Sequence, residues 1–196
     1  YNEYRVSLLP GLNSLSLVAV NVDGIQSAPS VSEIQFGSEN DISEDDPEGR
    51  RLHLLVVGIN EYQNQKYSLN YALPDARSIA DKLNGANASL YDTVQTYSIY
   101  DREATAGNII AEFEKVRAAA NPQDTFIFYF AGHGVMSKED NLFYLVPTDV
   151  TQIYGQSDTL KEKGLSSHRL KQFAEGIAAQ KQVFILDACN SGGALE

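Results

Sequence analysis

Apolar and polar positions change their rhythm along this chain. In residues 1–36 the period is two. Tyr4–Leu9 forms a first run. Ser14–Val22 alternates, with Leu15, Leu17 and Ala19 on one face and Val18, Val20 and Val22 on the other, and Val31–Phe36 forms a third run. Pro10-Gly11 and Asp23-Gly24 are turn pairs between these runs, so the segment predicts three β-strands. The middle strand is apolar on both faces and is expected to be buried on both. Residues 37–51 then carry six acids and two arginines with almost nothing to bury, which predicts a solvated linker. Its last residues, Arg50 and Arg51, are a candidate processing site, because exposed boundary segments are where proteases cut.

From Leu52 onward strands alternate with helices. Leu52–Ile59 is a nearly continuous apolar run, as expected of a parallel strand covered on both faces. Pro74 suits the first position of a helix that places Ala76, Ile79, Ala80 and Leu83 on one face. Val94, Tyr97 and Ile99 belong to a second strand. Thr105 caps a helix with Ile109, Phe113, Val116 and Ala120 inward. Thr125–Ala131 is an aromatic third strand whose rings fill the core, and Leu142–Val146 is a short strand closed by Pro147. Thr151–Gly164 is expected to be a long polar loop, with Lys161 and Lys163 a second candidate nick site. Ser166 or Ser167 caps a helix carrying Leu170, Phe173, Ala174 and Ile177, and Gln182–Asp187 is a further strand. The fold class is therefore α/β, a three-layer domain with a mostly parallel sheet over residues 52–196. Three strands in residues 1–36 cannot close a sandwich, so they are expected to be the closing strands of an all-β, immunoglobulin-like module.

Chemistry collects at two strand ends. His133 follows one buried strand and Cys189 follows another, so both fall at the carboxyl edge of the sheet, where α/β folds bind ligands. They stand 56 residues apart, so the fold must bring them together. A thiolate is the nucleophile, and an adjacent imidazole lets it form near neutral pH. Gly132 and Gly134 flank His133 and leave room for a substrate backbone. The amides of Gly134 and Cys189 are candidate oxyanion donors, each such donor being worth roughly 2.7–4 kcal/mol of barrier. A cysteine after an apolar strand also reads as a core residue, and a histidine beside a turn as a loop residue. Their joint placement favours the reactive pair.

Composition narrows the function further. The net charge of −11 argues against nucleic acid and fits a basic peptide or protein substrate. One cysteine in 196 residues forbids an internal disulfide and suggests a reducing compartment, the cytoplasm. No apolar run is long enough for a membrane helix. His53 and His168 have no companions at metal-ligand spacing, and no phosphate-binding glycine motif is present.

The segments Phe130-Ala-Gly-His-Gly134 and Asp187-Ala-Cys-Asn-Ser-Gly-Gly193 resemble those of caspase-like cysteine peptidases, above all the bacterial relatives of metacaspases and paracaspases. Leu54–Asn60, Tyr71–Ala76 and Phe143–Asp149 agree, in the right order. The resemblance implies a Cys189–His133 dyad with Gly134 as an oxyanion donor. It also implies an S1 pocket with Asp187 at its base, Asp75 as a second acid and Ala131 where many metacaspases carry serine. Two carboxylates in a narrow pocket favour an arginine or lysine P1 side chain and repel an acidic one. Many eukaryotic metacaspases bind calcium, and Asp149 matches one of their acids. Residues 164–168 are Gly-Leu-Ser-Ser-His, however, and calcium needs six to eight oxygens, so no cofactor is expected. The implied partners are a substrate with a basic P1 residue, a small-subunit chain or downstream segment that completes the sheet, and an N-terminal sensor or repeat domain. Residues 52–196 would be the large-subunit portion, ending just after the cysteine. Two rival readings remain: a caspase-like scaffold that does not cleave, and a related peptidase that cuts after Asp or Asn.

Overall fold

The computed structural model describes residues 8, 11–17, 28–36, 49–86, 90–153 and 158–188. Apart from Leu8, the first expected strand lies outside these, as do the Asp23-Gly24 turn, Cys189 and the residues after it. The chain divides into two units, 1–49 and 50–196. In the first, β1 (Gly11–Leu17) pairs antiparallel with β2 (Ser30–Phe36), Gly11 facing Phe36 and Leu17 facing Ser30. Leu12, Val31 and Phe36 are well exposed, while residues 18–22 of the strand expected to be covered on both faces lie outside the described residues. An immunoglobulin-like arrangement is not established by two strands.

The second unit is built on the apolar run that starts the α/β pattern. β3 (Arg51–Gly58) is buried at every position after Arg51. Leu54, Leu55, Val56 and Val57 are completely covered, each burial being worth about 1.5–3 kcal/mol. β4 (Thr93–Tyr100), β5 (Thr125–Ala131) and β9 (Lys181–Asp187) join it in a four-stranded parallel sheet of order β4-β3-β5-β9. A three-stranded antiparallel sheet follows His133: β6 (Gly134–Met136), β7 (Phe143–Leu145) and β8 (Leu165–Ser166).

Helices cover both faces of the parallel sheet. On one, α1 (Ala72–Ala86) presents Ala72, Ala76 and Ala80 to Leu54, Val56, Tyr129 and Ala131. These small residues let the helix lie close. A Cβ on Gly58 would stand 2.5 Å from that of Ala76, so glycine is required there by proximity. On the other face lie α2 (Ala106–Ala119) and α4 (Ser167–Gly176), with Phe113 stacked on Phe173 at 4.4 Å and tilted against Phe128 at 4.9 Å. Thr105 caps α2 through the Asn108 amide, and Ser166 caps α4 through the Arg169 amide, as the sequence predicts.

Three elements differ from expectation. The first helix begins at Ala72, with the Asn60 carboxamide oxygen accepting the Leu73 amide from outside the helix. The expected loop at Thr151–Gly164 contains α3 (Asp158–Lys163), anchored by buried Leu160. Its six residues were too short to show a period. Arg50 and Arg51 belong to the α/β unit: the Arg50 amide donates to Asp92 and the Arg51 amide to Asp124. Because Arg51 is already paired in β3, cutting after it requires the first residue of that strand to fray.

Candidate active site

β5 and β9 run parallel with Ala131 opposite Asp187, which brings the two strand ends level. The Gly132 amide donates to the Asp187 carbonyl at 3.2 Å, and His133 follows at once. The chain then turns into β6, where the Val146 amide donates to the His133 carbonyl at 3.0 Å. His133 and Val146 are thus a hydrogen-bonded pair, and Gly134 and Leu145 are the next, non-hydrogen-bonded pair. The Gly134 N–H accordingly points away from β7.

The loop after β3 holds the His133 side chain. Asp101 has φ 47°, and its Oδ1 accepts the amides of Asn60 at 2.8 Å and Glu61 at 3.0 Å. This clamps the loop to the end of β4. Tyr62 and Tyr67 then flank the imidazole, with ring centroids 5.0 and 6.1 Å from it. The His133 backbone N–H donates to the Tyr62 hydroxyl at 2.9 Å, and Nε2 lies 2.8 Å from the Tyr67 carbonyl oxygen. A carbonyl only accepts, so Nε2 carries the proton and the neutral ring keeps its lone pair on Nδ1. Burial pushes the Tyr62 hydroxyl well above the ordinary phenol range, and the charge of Asp101 adds to this, against the opposing effect of the His133 amide. It therefore stays protonated. Gly132 is fixed by this packing too. A Cβ there would meet the Tyr62 oxygen at 2.8 Å and the Phe130 ring at 3.0 Å, so this glycine makes room for a tyrosine.

A cleft of about 410 Å³ at the ends of β5 and β9 is lined among others by Tyr71, Asp75, Ala131, Asp187 and Gly132, the residue before His133. Asp75 comes from the first turn of α1, where a carboxylate also favours the helix dipole. Asp187 is exposed at the end of β9 and accepts a hydrogen bond from the Tyr129 hydroxyl at 3.3 Å. All three residues expected for S1 thus border one cavity. Cys189, two residues beyond Asp187, is outside the described residues.

Asp149 has other partners. One of its carboxylate oxygens accepts the Ala106 amide at the start of α2, and the other lies 3.6 Å from the Lys163 ammonium. Among the described residues no three His, Cys, Asp or Glu side chains gather as a metal site. These residues do not fit a calcium centre of six to eight oxygens. His53 is not a ligand either: it is 1 % exposed and bonds Asp124 through Nε2 at 3.1 Å. Sequence reasoning missed Tyr62, Tyr67 and Asp101. Their positions follow from loop packing: Tyr62 and Tyr67 lie just after Asn60, but the Asp101 that sets this loop is 41 residues from Asn60 in the chain.

A parallel sheet with helices on both faces and a histidine loop beside an acidic cleft at its carboxyl edge is the architecture of a caspase-like α/β domain. The sequence model of the caspase-domain peptidases matches residues 51–196, and the chain belongs to that family. It is 26% identical over 153 residues to a probable protease of a Desulfuromonadales bacterium, covering 70% of this chain and 18% of that protein. It is 24% identical over 153 residues to Metacaspase III c of Phaeodactylum tricornutum, covering 72% of this chain and 43% of the relative. The chain thus spans less than half of either relative.

Proposed function

We propose that this chain is the catalytic portion of a cysteine endopeptidase that cuts after arginine or lysine. The observation that carries this reading is one cleft lined by both Asp75 and Asp187, with Gly132, the residue before His133, on its wall. A guanidinium or ammonium entering it gains from both carboxylates, whereas an aspartate side chain is repelled. On this reading Nδ1 of His133 takes the thiol proton of Cys189. The thiolate attacks the scissile carbonyl, and the resulting oxyanion is held by the amides of Gly134 and Cys189. His133 then gives the proton to the leaving amine, and water resolves the acyl-enzyme with the same residue as base. The Tyr67 carbonyl keeps the ring in the tautomer this needs.

The sheet edge supports a partner in the same assembly. Among the described residues β9 pairs only with β5, and Val183 and Ile185 are 45% and 39% exposed on the face toward Asp187. A small subunit or downstream segment that adds strands here would pair the free backbone groups of β9 and remove an edge open to aggregation. An upstream sensor or repeat domain, and processing near Arg50 and Arg51, would regulate it.

The test is a fluorogenic peptide panel differing only at P1, offered to the intact protein with Cys189→Ala as control. Turnover after Arg or Lys that vanishes in the control is expected. Cleavage after Asp or Asn would keep the dyad and refute the acidic pocket. A folded protein with no turnover on any peptide would favour a scaffold.

A further inference from the structure

β5 places its aromatic residues unevenly. Phe126, Phe128 and Phe130 point to the α2 and α4 side and join the hydrophobic core there. The remaining ring, Tyr129, faces α1 and is the one that carries a hydroxyl. It is 4% exposed, its ring seated where Ala72 and Ala76 leave space under the helix. In register it lies opposite Ile185, so on the shared face its diagonal neighbour along β9 is Asp187. The hydroxyl donates to Asp187 Oδ2 at 3.3 Å, and Asp187 lines the cleft.

We infer that Tyr129 is a positioning residue for substrate specificity: its hydroxyl holds one oxygen of Asp187 so that the other is aimed at a cationic P1 group. This rests on the acidic pocket proposed above and adds to it the element that orients the acid. An exposed carboxylate at a strand end otherwise samples several rotamers, and a cation must then order it on binding. A donor from below, fixed in a packed ring, removes that freedom beforehand. Burial, and after it the charge of Asp187, the hydrogen bond to it and the charge of Asp75, push the phenol up to about 12. Tyr129 therefore stays a neutral donor wherever the enzyme works. It adds no negative charge to the pocket.

The experiment is a double-mutant cycle in the intact protein, with benzamidine as the probe of the cleft and an arginine peptide as substrate. Tyr129→Phe keeps the ring and removes one oxygen. Benzamidine binding by calorimetry is expected to weaken about tenfold, with KM rising similarly and kcat staying within about twofold. In an Asp187→Asn background the same change is expected to cost less than about twofold. A merely structural hydroxyl would instead give equal losses in both backgrounds, or a lower melting temperature with unchanged binding, and either result overturns the inference while leaving the acidic pocket standing. Failure of the unaltered protein to bind benzamidine overturns both. Should Tyr129→Phe not fold, Asp187→Glu replaces it. The longer acid leaves the hydroxyl, so benzamidine should weaken, and undiminished binding would refute the positioning role.

Discussion

Two histidines sit at opposite ends of the same sheet, and the sheet treats them differently. His53, the third residue of β3, is 1% exposed, and its Nε2 meets the carboxylate of Asp124, which is itself fully buried. That carboxylate also accepts the amides of Arg51 and Asn121, so it ties the start of β3 to the turn before β5. His133, past the end of β5, is half-buried, and its Nε2 meets an uncharged backbone carbonyl. A buried carboxylate must keep its donors, which makes the first histidine a fixture of the fold. A carbonyl partner orients the second ring without claiming Nδ1. The kind of oxygen on Nε2, more than the residue type, separates structure from chemistry here.

The sharpest break of this comparison is His133→Ala. Cleavage of the arginine peptide should fall about 10²–10⁴-fold, with the urea midpoint nearly unchanged. A variant that keeps more than a tenth of the activity would remove His133 from the mechanism. The mirror experiment is Asp124→Ala, which strands His53 and two backbone amides in the interior. Stability should drop by about 3–5 kcal/mol in urea unfolding, while kcat/KM per folded molecule holds. A loss under about 1 kcal/mol would mean that water reaches the pair and that it is no fixture.

The sequence made one of these histidines legible and hid the other. His133 announced itself through small neighbours at the end of an apolar strand, a local signal. His53 sits inside an apolar run, and its partner is 71 residues away, so nothing in the spacing pointed to Asp124. The parallel sheet, the inward faces of α1 and α2, and the caps at Thr105 and Ser166 were all readable, because periodicity and capping are short-range. α3 was not, since six residues give less than two turns. The Asp75–Asp187 cleft came from family resemblance and not from any property of the two acids alone. The tyrosines around His133 were invisible because Asp101, across the sheet edge, sets the loop that carries them.

A smaller effect tests how His133 is held. Tyr62→Phe leaves the His133 amide without its acceptor and opens a gap beside Gly132. Stability should fall by about 1–3 kcal/mol, and kcat by about tenfold with KM little changed. A change confined to KM would place Tyr62 in substrate binding instead.

The smallest effect is silent at neutral pH and appears only in alkali. Tyr129 is pushed up to about 12 by burial and the nearby carboxylates, and Tyr144 likewise by burial and its hydrogen bond to Asp140. Tyr62 and Tyr97, the phenols beside the two histidines, are raised as well, each chiefly by burial. In the unfolded chain these groups ionise near pH 10. Below that pH both states hold the proton, and stability from this source is complete. As pH rises from about 10 to about 12 the unfolded state loses protons that the folded state keeps, so stability falls by about 1.4 kcal/mol per pH unit for each such tyrosine. Absorbance titration near 295 nm should show a late wave of phenolate, and urea unfolding should weaken across the same interval. Tyr129→Phe and Tyr144→Phe should each flatten that slope. Tyrosines that all ionise near pH 10 with flat stability would show these hydroxyls to be wet. The packing that keeps Tyr62 a neutral acceptor for the His133 amide would then need another account.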